Sequence, residues 1–313
     1  MLKKLFTFLF VITFFGVFSY FYGEDFFKNI EKQENLVNQK KIISGKLSDF
    51  SIEKIRELEN TEFYYTPSQE VLGKIVHLIN KSEKSVYIEV YMLTEKKIKI
   101  ALFNAKNRGV DIKIILEHSP YLAKSLNRKY FEEYKDAGLN ITWSNPQNYT
   151  LNHSKIILID NNKLILSTGN FTASNFKKNR DLFIFTEDKY IINAFNNIFN
   201  SDFIGEKITF YEDNLVISPD YSRIKIEKLI SSAKNNIKIY IPYLSDNNLL
   251  KLIEEKINSG VKIEMIMSDY GYEKFKLKWE KENFFIEKLK KNKNFIFNEI
   301  NKNGSSLNQL GRT

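Results

Sequence analysis

Cysteine is absent from the 313-residue chain, which excludes disulfides and thiolate metal sites. The redox compartment stays open, because exported proteins also do without cysteine. Proline and glycine are scarce, at 5 and 12 residues, and histidine is scarcer, at 3. With 43% hydrophobic and 27% charged residues the composition is globular, and the chain is long enough for one large or two modest domains. Clustered charge is lacking as well. The formal net charge of +9 suits anionic lipid or nucleic acid. Lysine is nevertheless spread along a chain biased toward Lys and Asn, and an ordinary solvated surface accounts for it equally well.

The one long apolar run lies at the N-terminus. Lys3 and Lys4 precede Leu5 to Tyr22, which is uncharged, and Glu24 and Asp25 follow. A run of about 18 apolar residues just spans a bilayer as a helix. Lysines before it and acids after it orient the N-terminus toward the cytoplasm and the rest outside. We expect a membrane anchor with an extracytoplasmic domain; a cleaved signal peptide and a secreted protein are the alternative. Residues 24–60 read as a polar spacer.

Beyond residue 60 the chain repeats itself. Ile79 to Leu116 superposes on Ile230 to Met267 without a gap, at an offset of 151. Val86, Ile88 and Val90 meet Ile237, Ile239 and Ile241, and Gly109-Val110 meets Gly260-Val261. Each copy predicts a helix (69–82, 221–234), a strand (85–91, 237–243), a second helix (95–107, 246–258) and a second strand (110–116, 261–267). The second helix stops at Gly109 or Gly260, a residue type that permits the left-handed turn at a helix end. Strands alternating with such helices imply βαβ units and a mostly parallel sheet. A period this long means two homologous α/β halves rather than a solenoid.

Chemistry concentrates between Asn152 and Asp181. The stretch Asp160-Asn161-Asn162-Lys163 predicts a two-residue hairpin turn, because Asn tolerates positive φ. If Asp160 pairs with Lys163, Lys155 faces Thr168 and His153 faces Asn170. An imidazole, an ammonium, a hydroxyl and an amide would then share the open end of an apolar hairpin, a suitable anion site. Asp181 heads the next strand, where a carboxylate can hold the far imidazole nitrogen. Singly, each residue has a plain reading: a strand-end His, a snorkelling Lys, a turn Asp, capping Thr and Asn. Their mutual register is what points to chemistry.

These residues resemble the phospholipase D superfamily, whose pattern is H-x-K, four residues, D, six residues, a small-residue pair and N. Here it reads His153, Lys155, Asp160, Ser167-Thr168 and Asn170, with Ser-Thr replacing the usual Gly-Ser, and the resemblance covers about residue 61 to the end. It implies two phospholipase D-like α/β repeats, with mixed, mostly parallel sheets flanked by helices, at 61–208 and 209–313. It also implies a metal-free, cofactor-free phosphodiesterase. His153 would attack phosphorus. Lys155, Thr168 and Asn170 would bind the phosphate oxygens, Asp181 would orient the imidazole, and Asp160 would brace the hairpin. The substrate expected is a phospholipid headgroup ester, by hydrolysis or phosphatidyl transfer, with nucleic acid as the alternative.

The family pattern also implies a second motif, whose histidine the offset of 151 places at Gly304; no histidine follows His153. The second repeat therefore reads as incomplete. An early end to the reading frame, a homodimer that pairs two His153 motifs, or a non-catalytic phosphate-binding relative would each account for this. His118, after a strand, is a substitute acid, and His77 sits within a predicted helix.

Overall fold

In the computed structural model, residues 56–121, 123–208, 214–241, 244, 246–268, 286–300 and 306–307 are described. The apolar run Leu5–Tyr22, most of the spacer, and the position Gly304 lie outside them. Among the described residues no helix is long and apolar enough to cross a membrane. The chain forms two compact units, one of Leu58–Glu212 and another from Asp213 onward.

The first unit runs β1 (Thr61–Tyr65), α1 (Gln69–Lys81), β2 (Ser85–Val90), α2 (Lys96–Asn107), β3 (Asp111–Leu116), α3 (Lys124–Asp136) and β4 (Asn140–Trp143). It continues with β5 (Lys155–Ile159), β6 (Lys163–Ser167), α4 (Ala173–Lys178), β7 (Leu182–Thr186) and α5 (Lys189–Phe203). Its seven-stranded sheet has the order β1-β7-β6-β5-β2-β3-β4.

Local chemistry explains the helices. Ser68 starts α1 by accepting the Val71 N–H at 3.3 Å, and Glu95 starts α2 by accepting that of Lys97 at 3.1 Å. Val71, Leu72, Ile75 and Ile79 of α1, with Ile98, Ala101, Leu102 and Ala105 of α2, recur at helical spacing and are buried. They pack on Val86, Ile88 and Val90 of β2, Ile157 and Ile159 of β5, and Phe183 and Phe185 of β7. Helix α2 ends as expected: Gly109 takes φ +89°, and the Gly109 and Val110 amides return to Lys106 and Ala105. On the opposite face of the sheet, Tyr87 of β2 stacks on Phe199 of α5 at 5.1 Å.

The sheet is mixed. Neighbours β2, β3 and β4 pair in parallel, giving the βαβ core that the sequence implies. The pairs β2–β5, β5–β6, β6–β7 and β7–β1 are antiparallel. Five of the seven strands share one direction, and β5 and β7 oppose it. The antiparallel content comes from the β5–β6 hairpin, which needs only a short loop and no crossover helix.

The second unit contains α6 (Ser222–Ser232), β8 (Asn236–Ile241), α7 (Asn247–Asn258), β9 (Lys262–Ser268), β10 (Phe295–Ile300) and β11 (Ser306–Leu307). Its sheet order is β11-β10-β9-β8, parallel from β8 to β10. Its succession α6-β8-α7-β9 is that of α1-β2-α2-β3. Helix α7 is capped by Asp246 and closes at Gly260, with φ +96° and the Val261 amide bonded to Lys256.

Candidate active site

Strand β5 owes its position to Asp160. That carboxylate accepts N–H groups from Glu83 at 3.0 Å, Lys84 at 2.7 Å and Ser85 at 2.8 Å, locking the far end of the hairpin to the start of β2. Burial alone would raise its pKa. The three amides of Ser85, Glu83 and Lys84, with the Lys84 charge, outweigh burial and hold the carboxyl below its ordinary value. Asp160 is at the opposite end of β5 from His153 and takes no place beside the imidazole.

The hairpin register corrects the sequence reading by one residue. Ile159 faces Lys163 and Ile156 faces Leu166, so the loop holds three residues, Asp160 to Asn162. Both Asp160 and Asn161 take the left-handed conformation, at φ 53° and 52°. Asp160 leaves the strand because its side chain serves the Glu83–Ser85 amides. Carried on by one pair, this register sets Lys155 opposite Ser167 rather than Thr168.

The expected groups still gather, because β6 ends at Ser167 and the chain turns there. The Thr168 hydroxyl donates to Asp181 Oδ1 at 2.9 Å and accepts the Leu182 amide at 2.9 Å. The Lys155 ammonium donates to the His153 carbonyl at 2.5 Å and interacts with the charge of Asp181. Lys155, at 2% exposure, is among the few buried charged residues. Thus His153, Lys155, Thr168 and Asp181 share one end of β5, β6 and β7. Asn170 follows in the loop after β6. Its Oδ1 is buried and has no hydrogen-bond partner among the described residues.

Electrostatics follow from burial. Burial drives the His153 imidazole well below its ordinary pKa, and the Lys155 charge pushes the same way. Burial also lowers Lys155 well below the usual lysine range, offset in part by Asp181. Asp181 is raised by burial, against the opposing pull of Thr168 and Lys155. A neutral imidazole is thereby presented beside a buried amine whose charge burial opposes and Asp181 supports.

Several neighbours escaped the sequence reading. The Tyr91 ring lies edge-on to His153 at 4.8 Å and 5.3 Å from the Lys155 nitrogen. Its hydroxyl accepts the Tyr121 amide at 2.7 Å. Thr66 accepts the Asp181 N–H at 3.0 Å through its hydroxyl. Both are adjacent to the site only through strand pairing, β2 with β5 and β1 with β7. His118 is exposed just beyond β3, edge-on to Trp143 at 5.2 Å and hydrogen-bonded to the Ser119 hydroxyl. His77 is on the exposed side of α1.

The family described as "Cardiolipin synthase, PLD-like domain" matches residues 75–203. A phospholipase D of Rickettsia felis is 30% identical over 183 residues, covering 58% of this chain and 86% of that protein. The chain belongs to the phospholipase D superfamily. A cardiolipin synthase of Clostridium perfringens is 22% identical over 272 residues, covering 71% of this chain and 55% of the relative. Among solved structures, a phosphatidylserine synthase of Haemophilus influenzae shares the fold with a TM-score of 0.62 at 14% identity. That match covers 78% of this chain and 73% of the other. As a superfamily member, the chain has relatives of phosphodiesterase type.

Proposed function

We propose that this superfamily member cleaves or exchanges phospholipid headgroup esters through a phosphohistidine on His153. The observation that carries the reading is the buried set at the open end of the hairpin, with a neutral imidazole next to Lys155, Lys155 interacting with Asp181, and Asp181 held by Thr168. Attack by the imidazole on phosphorus forms the N–P bond and expels an alcohol. Lys155 and Asn170 stabilise the non-bridging oxygens, where charge accumulates in the transition state. Thr168 holds Asp181, and Asp181 orients the imidazole. The expelled alcohol needs a proton. A second copy of the chain or His118 is the source we favour, His118 being at the same edge of the sheet. Attack by water or by a second alcohol then regenerates His153.

Lipid is preferred over nucleic acid because the relatives named above are phospholipase D and cardiolipin synthase. Anchoring by residues 5–22, with the two units outside the cytoplasm, suits the same substrate. We further infer that the units are duplicated halves, on the strength of the 151-residue offset and the recurring helix–strand–helix–strand succession. The test sets headgroup release from phosphatidylglycerol liposomes against nicking of plasmid DNA, both in EDTA. Release that disappears in His153→Ala supports the lipid reading. Nicking without release replaces it with a nuclease. Neither activity, with phosphate binding that weakens in Lys155→Ala, makes the protein a binding relative without turnover.

A further inference from the structure

Glu89 is a buried acid of the first unit that the reaction outlined above leaves unused. It lies in the middle of the sheet, on β2, on the face opposite Val90 and Ile88, and is only 4% exposed. Its Oε1 accepts the Ser154 hydroxyl at 3.1 Å, and Asn152 lies against the same carboxyl. Ser154 and Asn152 flank His153 in the chain, and the Ser154 amide donates to Asn152 Oδ1 at 2.9 Å. Glu117, beyond β3, anchors the Asn152 amide at 2.7 Å, but its oxygens are fully engaged with Ser119, Ser144 and Asn152. Glu89 differs: its Oε2 is buried and has no hydrogen-bond partner among the described residues, as is true of the Tyr149 hydroxyl. Glu89 of β2, Asp202 of α5 and Glu117 at the end of β3 thus act electrostatically on one phenol, Tyr149, in the loop before β5.

We propose that Glu89 is a positioning residue for the reaction: acting through Ser154 and Asn152, its buried carboxyl fixes the chain on both sides of His153. The inference rests on His153 being the reacting group. Three features single out Glu89. A carboxyl in mid-sheet is costly unless something holds it there. Its Oε1 accepts from Ser154, and Asn152 lies against the same carboxyl, so both of its polar neighbours are adjacent to His153 in the chain. The Ser154 carbonyl in turn receives the Tyr91 amide at 2.9 Å, so the same short segment also sets the imidazole against its aromatic neighbour. An ionised carboxylate draws the Ser154 hydroxyl more strongly than a neutral acid does. Burial pushes the Glu89 carboxyl up to about 7, so the hold on Ser154 changes near neutrality.

The experiment compares the full chain with Glu89→Gln, Ser154→Ala and the double variant. Turnover of bis(p-nitrophenyl) phosphate is followed across neutrality, and in parallel the His153 ring is followed by NMR, which is practicable because the chain has only 3 histidines. Parent kcat is expected to rise through a step near pH 7, with KM unchanged. Glu89→Gln should abolish the step and lower kcat on the order of tenfold. Ser154→Ala should flatten the profile in the same way, and the double variant should add nothing. The His153 ring, whose own titration lies lower, should register the same step in the parent and in neither variant. A Glu89→Gln protein that keeps both steps, or differs from the parent only in melting temperature, overturns the inference. A parent that hydrolyses no diester while its His153 ring still follows Glu89 overturns the proposed reaction and leaves the positioning role standing.

Discussion

His153 and Lys155 are two residues apart, and burial moves both away from their charged forms. Their roles differ, and so should their substitutions. His153→Ala removes the proposed nucleophile and should lower diester turnover roughly a thousandfold or more. Lys155→Met keeps much of the side-chain volume but removes the charge; a loss of about a hundredfold in kcat, measured with the same diester, is expected. Stability has its own residue-level signature at Glu89. Between about pH 4.5, its ordinary value, and about 7, the folded protein holds a proton that the unfolded chain has released. Folding therefore takes up a proton in that window, and stability falls as pH rises through it. Glu89→Gln lacks this loss. Urea titrations at the two ends of the window should show the variant gaining on the parent by up to about 3 kcal/mol as pH rises. The same carboxyl would thus weaken the fold where it best holds Ser154.

At the scale of elements, the hairpin turn carries the sharpest test. Asn161 is exposed at φ 52°, a conformation open to Asn and Gly and resisted by β-branched residues. Asn161→Gly should leave the melting temperature nearly unchanged, whereas Asn161→Val should cost about 1–2 kcal/mol. Gly169 is a second marker. A Cβ there would stand 2.4 Å from the Asn175 amide, so Gly169→Ala must displace a buried side chain next to Thr168 and Asn170. Loss of thermal stability and of turnover together is the expected result. The helices and the βαβ strands were legible in the sequence because their signals are local: apolar residues at helix and strand spacing, and Gly109 and Gly260 at the helix ends. The hairpin was legible as a hairpin, and its register was not. Asp160 looks like the first half of a pair with Lys163 until the Glu83–Ser85 amides claim its carboxylate. Glu89, Tyr91 and Thr66 were out of reach for a related reason. Their proximity to His153 or Asp181 depends on strands paired across 63 to 115 residues of chain.

For the molecule as a whole, the division into two compact units sets an expectation for fragments. The apolar core of Leu58–Glu212 is gathered from its own helices and strands, from Val71 to Phe185. Expressed alone, residues 58–212 should fold cooperatively, with dispersed amide resonances and a single melting transition. The net charge of +9 bears on partners. The full chain should adsorb to anionic vesicles more than to zwitterionic ones, and about 0.5 M salt should remove most of that difference.

Asp160 has one more consequence. Its carboxylate closes a loop of 75 to 77 residues onto three consecutive amides. Those protons at Glu83, Lys84 and Ser85 are therefore reporters of the distant turn. In hydrogen exchange their protection relative to free amides should stay high while the carboxylate is ionised and fall at all three together on acidification, giving warning that the hairpin is letting go before the sheet itself has begun to open.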